Sequence, residues 1–105
     1  MTSRASQARS DAAFDGHAEE LAELFKALSH PVRIKLLSRL STSRRHCGDL
    51  VSESGLAQST VSHHLRILRD AGLIDVEEQG TRTCYFINRE RIQMICDRIL
   101  SMKTW

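Results

Sequence analysis

No run of about 18 apolar residues occurs in this 105-residue chain, so no segment has the length to cross a membrane as a helix. The opening stretch, MTSRASQARSDAAFDGH, lacks the apolar centre of a secretory signal. It is small and polar, so residues 1–16 read as a disordered tail ahead of one domain over 17–105, and the expected address is the cytoplasm. Cysteine is scarce: Cys47, Cys84 and Cys96 are odd in number and form no C-x-x-C pair. In a chain without an export signal, that argues against a disulfide framework and for reduced thiols; each is equally a small buried hydrophobe. Catalytic signatures are also missing, with no Gly-rich phosphate loop, HExxH, nucleophile elbow, paired active carboxylates or Ser-His-Asp order. A single small core leaves little room for a deep pocket. The expectation is a protein that binds, not an enzyme.

What is present is ordinary in amount and uneven in placement. Hydrophobic residues make up 41% and charged residues 27%, as in globular domains generally. Net charge is +2, yet residues 31–69 hold seven Lys/Arg against two Asp/Glu, a local +5. Residues 1–30 have three against five, and residues 70–105 five against six. A basic middle between mildly acidic ends suits a centre that touches DNA, and it equally suits a solvated basic surface.

Apolar spacing divides the chain. Leu21, Leu24, Phe25 and Leu28 fall on one helical face over 17–28. Pro31 then opens a second helix, to Leu40, with Val32, Ile34, Leu36, Leu37 and Leu40 on a broad apolar face. After the polar break STSRR, a short helix from Cys47 to Ser54 turns Leu50 and Val51 inward, and Gly55 ends it. The next helix runs from Gln58 to Ala71, with Val61, Leu65, Leu68 and Ala71 apolar and Ile67 beside them. The period then shortens: LIDVEEQGTRTCYFIN reads as a two-stranded hairpin bent at Gly80. A last helix aligns Ile92, Ile95, Ile99 and Met102. The fold class is mainly α with a small β-hairpin wing, a winged helix-turn-helix in the order α-α-α-α-β-β-α.

Residues 47–71 supply the helix-turn-helix, and the first turn of its second helix is the part that enters a major groove. Gln58, Ser59, Ser62, His63, Arg66 and Arg69 point outward there. Gln pairs with adenine edges, and the hydroxyls of Ser59, Thr60 and Ser62 serve bases or phosphates. The free N–H groups of the helix start favour phosphate, and Arg66 and Arg69 suit backbone contact. His63 is the outward, DNA-facing histidine and His64 the structural one. Successive helical residues project about 100° apart, so the two make a poor joint metal site. At the wing tip, Gln79, Gly80, Thr81 and Arg82 offer one cation, while Glu77 and Glu78 repel DNA.

The segments LFKALSHPVRIKLLSRL, GDLVSESGLAQSTVSHHLRILRDAGLI and GTRTCYFIN resemble the ArsR/SmtB family of winged-helix repressors, in the family's order over roughly residues 19–100. The resemblance implies a homodimer built from the first and last helices, an operator of two-fold symmetry in double-stranded DNA, and release when an inducer binds. It gives Gln58, Ser59, Ser62 and His63 the contacting roles of the recognition helix. The terminal apolar stripes independently favour a dimer, which spaces two recognition helices about one DNA turn, roughly 34 Å, apart.

Two departures bear on the inducer. Family members that sense metal at the third helix often carry Cys-x-Cys before DL, where this chain has His46, Cys47 and Gly48. Others bind zinc through Asp and His on the last helix, which here has Asp97 and no histidine. His30 stands where an Asp often caps the second helix. The three thiols, Cys47, Cys84 and Cys96, remain as candidate ligands for As(III), Sb(III) or another soft metal ion, with no cofactor needed for DNA binding itself. Two alternatives stay open: a thiol redox switch, and a winged helix that binds protein and has purely structural cysteines.

Overall fold

Leucines at 21 and 24, followed by Ala27, give the first helix one face to bury, and α1 occupies 18–28 of the computed structural model, which describes residues 18–103. The expected tail, 1–16, lies outside the described residues. After a two-residue break, α2 spans Pro31–Thr42. Pro31 sits where its missing N–H costs nothing, and His30 caps the helix, its Nδ1 accepting the Val32 N–H at 3.1 Å. The helix runs two residues beyond Leu40. Ser41 Oγ donates to the Ser38 carbonyl at 2.6 Å and Thr42 Oγ1 to the Arg39 carbonyl at 2.8 Å, so polar residues complete the last turn they were expected to break.

A two-residue strand, β1 (Arg45–His46), precedes α3 (Cys47–Ser54). The His46 N–H donates to Asp49 Oδ2 at 3.0 Å, fixing the entry to α3. This hydrogen bond is the main reason the Asp49 carboxyl sits below the usual carboxylate range; the charges of His46 and Arg82 assist, and burial opposes. Gly55 closes α3 with φ 69°, a left-handed conformation that glycine takes without a Cβ penalty. After the turn comes α4 (Gln58–Asp70), then β2 (Ile74–Gln79), β3 (Arg82–Ile87) and α5 (Arg89–Lys103).

The sheet order is β1-β3-β2, all antiparallel. Gln79 pairs with Arg82 around a two-residue loop in which Gly80 has φ 65°. The expected two-stranded wing thus has a third strand, because Arg45 and His46 pair with Tyr85 and Cys84.

The core joins Leu24 of α1, Leu36 and Leu40 of α2, Leu50 of α3, Leu65 and Leu68 of α4, and Leu73, Ile74 and Ile95 beyond them. Two residues assigned to inward faces stand outside it: Phe25 is 40% exposed and Ile34 is 55% exposed. On α5 only Ile95 of the expected stripe is buried; Ile92 is half-buried, and Ile99 and Met102 are exposed. No helix among the described residues is long and apolar enough to cross a membrane.

Candidate nucleic-acid interface

Val61, Leu65 and Leu68 recur at helical spacing and are wholly buried, which turns the opposite side of α4 to solvent. Gln58, Ser59, Ser62, His63, Arg66 and Arg69 are all exposed along that side. Thr60 is half-buried at the flank of this row. Ala57, the N-cap, has no side chain to satisfy the first-turn N–H groups, so these donors remain turned toward whatever lies against the helix start. The result is a polar, donor-rich, cationic ridge on a helix anchored by its other face.

His64 belongs to that anchor. It is buried, its ring centroid 4.4 Å from that of His30 and 5.3 Å from that of His63. Arg33 Nη1 lies 3.2 Å from His64 Nδ1; a guanidinium only donates, so Nδ1 is the accepting, unprotonated nitrogen. Arg33 also donates through Nε to the Ala27 carbonyl at 2.6 Å. One side chain therefore links the end of α1, the start of α2 and the middle of α4. Burial first, and then the charges of His30, Arg33 and His63, hold His64 below the ordinary imidazole range. Charge count alone signalled Arg33; its partner lies 31 residues away, beyond any local pattern.

The wing is tied to the helix-turn-helix near its tip. His46 Nε2 lies 3.1 Å from Gln79 Oε1, joining the entry of α3 to the end of β2. Arg82 is exposed at the tip. The acids expected to repel DNA are both engaged: Arg44 Nη1 pairs with Glu77 Oε2 at 2.6 Å, and Thr83 Oγ1 donates to the Glu78 carboxylate at 3.2 Å. Arg44 also lies 4.2 Å over the Phe86 ring. Its pairing softens the acidity of the wing, a contribution that the doublet RR in STSRR did not reveal.

The thiols occupy three environments. Half-buried Cys47 places Sγ 3.8 Å from the hydroxyl of Ser62, on the recognition helix. Buried Cys84 sits across the sheet from His46, next to Cys47 in sequence. Cys96 is exposed on α5. Among the described residues of one chain, no three His, Cys, Asp or Glu side chains are grouped to hold a metal ion.

A helix-turn-helix with an exposed polar helix start, backed by a hairpin, defines the winged helix-turn-helix class of regulator. Comparison with known proteins narrows the class. The profile of the bacterial regulatory proteins of the arsR family matches residues 30–76. The HTH-type transcriptional regulator YgaV of Escherichia coli (strain K12) is 42% identical over 79 residues, 74% of this chain and 80% of that protein. The probable mercury resistance operon repressor of Streptomyces lividans is 32% identical over 76 residues, 72% of this chain and 61% of that protein. The crystal structure of the transcriptional repressor BigR from Xylella fastidiosa superposes with a TM-score of 0.68 at 26% identity, covering 90% of this chain and 96% of that one. The chain belongs to the ArsR family of DNA-binding transcriptional regulators.

Proposed function

We propose that this protein is a cytoplasmic transcriptional repressor that binds a two-fold symmetric operator as a homodimer and leaves it when a thiophilic inducer occupies its cysteines. The observation that carries the DNA reading is the division of α4: Val61 and Leu68 have no exposure at all, while Gln58, Ser59, Ser62 and His63 all face solvent. Groove-reading helices need that combination of rigid seating and a polar edge. Exposed Ile99, Leu100 and Met102 on α5 and Phe25 on α1 support the dimer, since pairing covers apolar surface that one chain leaves wet. The relatives named repressors support the direction of control.

Fluorescence anisotropy with a palindromic fragment from the protein's own upstream region tests the reading. Binding should weaken linearly in log–log form as salt rises. No binding at low salt would remove it.

Support for a thiol inducer comes from Cys47, whose Sγ touches a residue of the recognition ridge, and from the similarity to a mercury resistance repressor. Because no three ligands are grouped among the described residues of one chain, a pyramidal sulfur site would draw on both protomers. Exposed Cys96 favours a second reading, oxidation of two thiols to a disulfide. Titrating the protein–DNA complex with arsenite, cadmium, lead, mercury and an oxidant, then repeating with each Cys→Ser variant, separates the two. If all three single variants respond as the parent does, neither holds.

A further inference from the structure

A cleft of about 700 Å³ opens between α2 and α3, a volume in the range that receives small organic molecules. It is wide and open to solvent, and it is more room than a core of this size promised. Its floor is apolar: Val32 and Leu36 from α2, Leu50 from α3, and Leu56 from the following turn. Along one wall, Lys35, Ser38, Arg39 and Thr42 stand at i, i+3, i+4 and i+7, so a single face of α2 presents two cations with hydroxyls between and beyond them.

The charges are unequally matched. Glu53, the one acid of the lining among the described residues, faces Arg45 at 3.4 Å and is neutralised there. Lys35 and Arg39 have no ion-pair partner among the described residues. Arg45, whose charge is matched by Glu53, also donates through Nη2 to Thr42 Oγ1 at 3.3 Å, and its buried Nε has no hydrogen-bond partner among the described residues. A bare anion makes no use of the apolar floor, and a neutral apolar molecule makes no use of the two cations. A molecule with an apolar body of several carbons and one carboxylate uses both, and arginine matches a carboxylate in shape as well as charge.

We propose that the α2–α3 cleft is a receptor for an amphipathic carboxylate, with its body over Leu36 and Leu50 and its head against Lys35 and Arg39. Since α3 packs against α4, a ligand wedged in the cleft bears on the recognition helix. That consequence rests on the DNA-binding reading; the binding itself does not.

Octanoate is the probe, with 1-octanol and acetate as partial mimics, each titrated into the full-length DNA-free protein and followed by amide NMR shifts. Octanoate should shift residues 35–39, 50 and 56 saturably, and both mimics should bind at least about tenfold more weakly. The exposed pair Lys35→Gln with Arg39→Gln should weaken octanoate about tenfold or more without moving the unfolding midpoint. Should that variant be unstable, Lys35→Arg decides: it keeps parental affinity if the cleft reads charge. Equal binding of octanol and octanoate, parental affinity in a folded double variant, lost affinity in Lys35→Arg, or no saturation by about 10 mM overturns the proposal. Because the readout uses free protein, failure to bind an operator would leave this result untouched.

Discussion

α4 and α5 both carry apolar residues at three- and four-residue spacing, yet the two helices meet different fates. On α4, Val61, Leu65 and Leu68 vanish into the core and the polar side faces water. On α5 only Ile95 is buried, while Ile99, Leu100 and Met102 remain 44%, 59% and 54% exposed. Spacing alone says that a face is apolar; it does not say whose surface covers it. On α4 the chain itself supplies the cover, which frees the opposite side for recognition. On α5 the apolar side is the one that stays exposed, the surface that the proposed homodimer would cover.

Leu65→Ala and Ile99→Ala should separate the two helices most widely. Truncation in the sealed α4 face should cost about 2–5 kcal/mol in urea unfolding. The same truncation at exposed Ile99 should stay within about 0.5 kcal/mol for a dissociated chain. Comparable losses at both positions would mean that α5 is also sealed within one protomer.

Next in size comes the paired change Ile99→Asp with Met102→Asp. Two carboxylates cannot be buried unpaired at an interface, so sedimentation should show a folded protein of half the mass. Operator affinity should fall by more than about tenfold, because a lone half-site loses the avidity of the pair. Unchanged mass would point the apolar side of α5 to some other partner.

Why was α4 legible in the sequence when its surroundings were less so? Its signal was redundant, with period 3.6, outward polar residues and Gly55 before it all agreeing. β1 offered no period, since Arg45 and His46 are too short a run for alternation to register. The last turn of α2 read as a break because Ser41 and Thr42 disfavour helix interiors, whereas at a C-terminus their hydroxyls satisfy carbonyls. Phe25 and Ile34 fitted inward spacing but face outward, the same ambiguity that α5 shows. Arg33 and Arg44 were visible as charge and invisible as joints, because their partners His64 and Glu77 lie 31 and 33 residues away.

On the polar side of α4, the two ends of the ridge should behave differently. Gln58→Ala, at the helix start, should weaken the cognate operator by about 1–3 kcal/mol and leave the salt slope alone. Arg66→Gln, further along, should weaken all sequences alike and reduce the slope by about one. Competition anisotropy at several salt concentrations reads both. If Arg66 proves sequence-selective and Gln58 does not, the helix sits in the groove by its middle instead of its start.

The smallest effect concerns how α4 is seated. His64 is held neutral, and its folded pKa lies below the ordinary 6.5 because of burial and the neighbouring His30, Arg33 and His63. The unfolded chain therefore takes up this proton first as pH falls. Stability from this group is fully present above 6.5 and is lost as pH drops through the lower folded value. A proton on Nδ1 also sets a donor against the Arg33 donor at 3.2 Å and removes the acceptor that joins α4 to α2. The urea midpoint should fall between pH 7 and 5, and His64→Gln, which cannot gain charge, should fall less over the same interval. Parallel pH profiles for the two proteins would place the acid sensitivity elsewhere and leave His64 as a packing residue in the sealed face of α4.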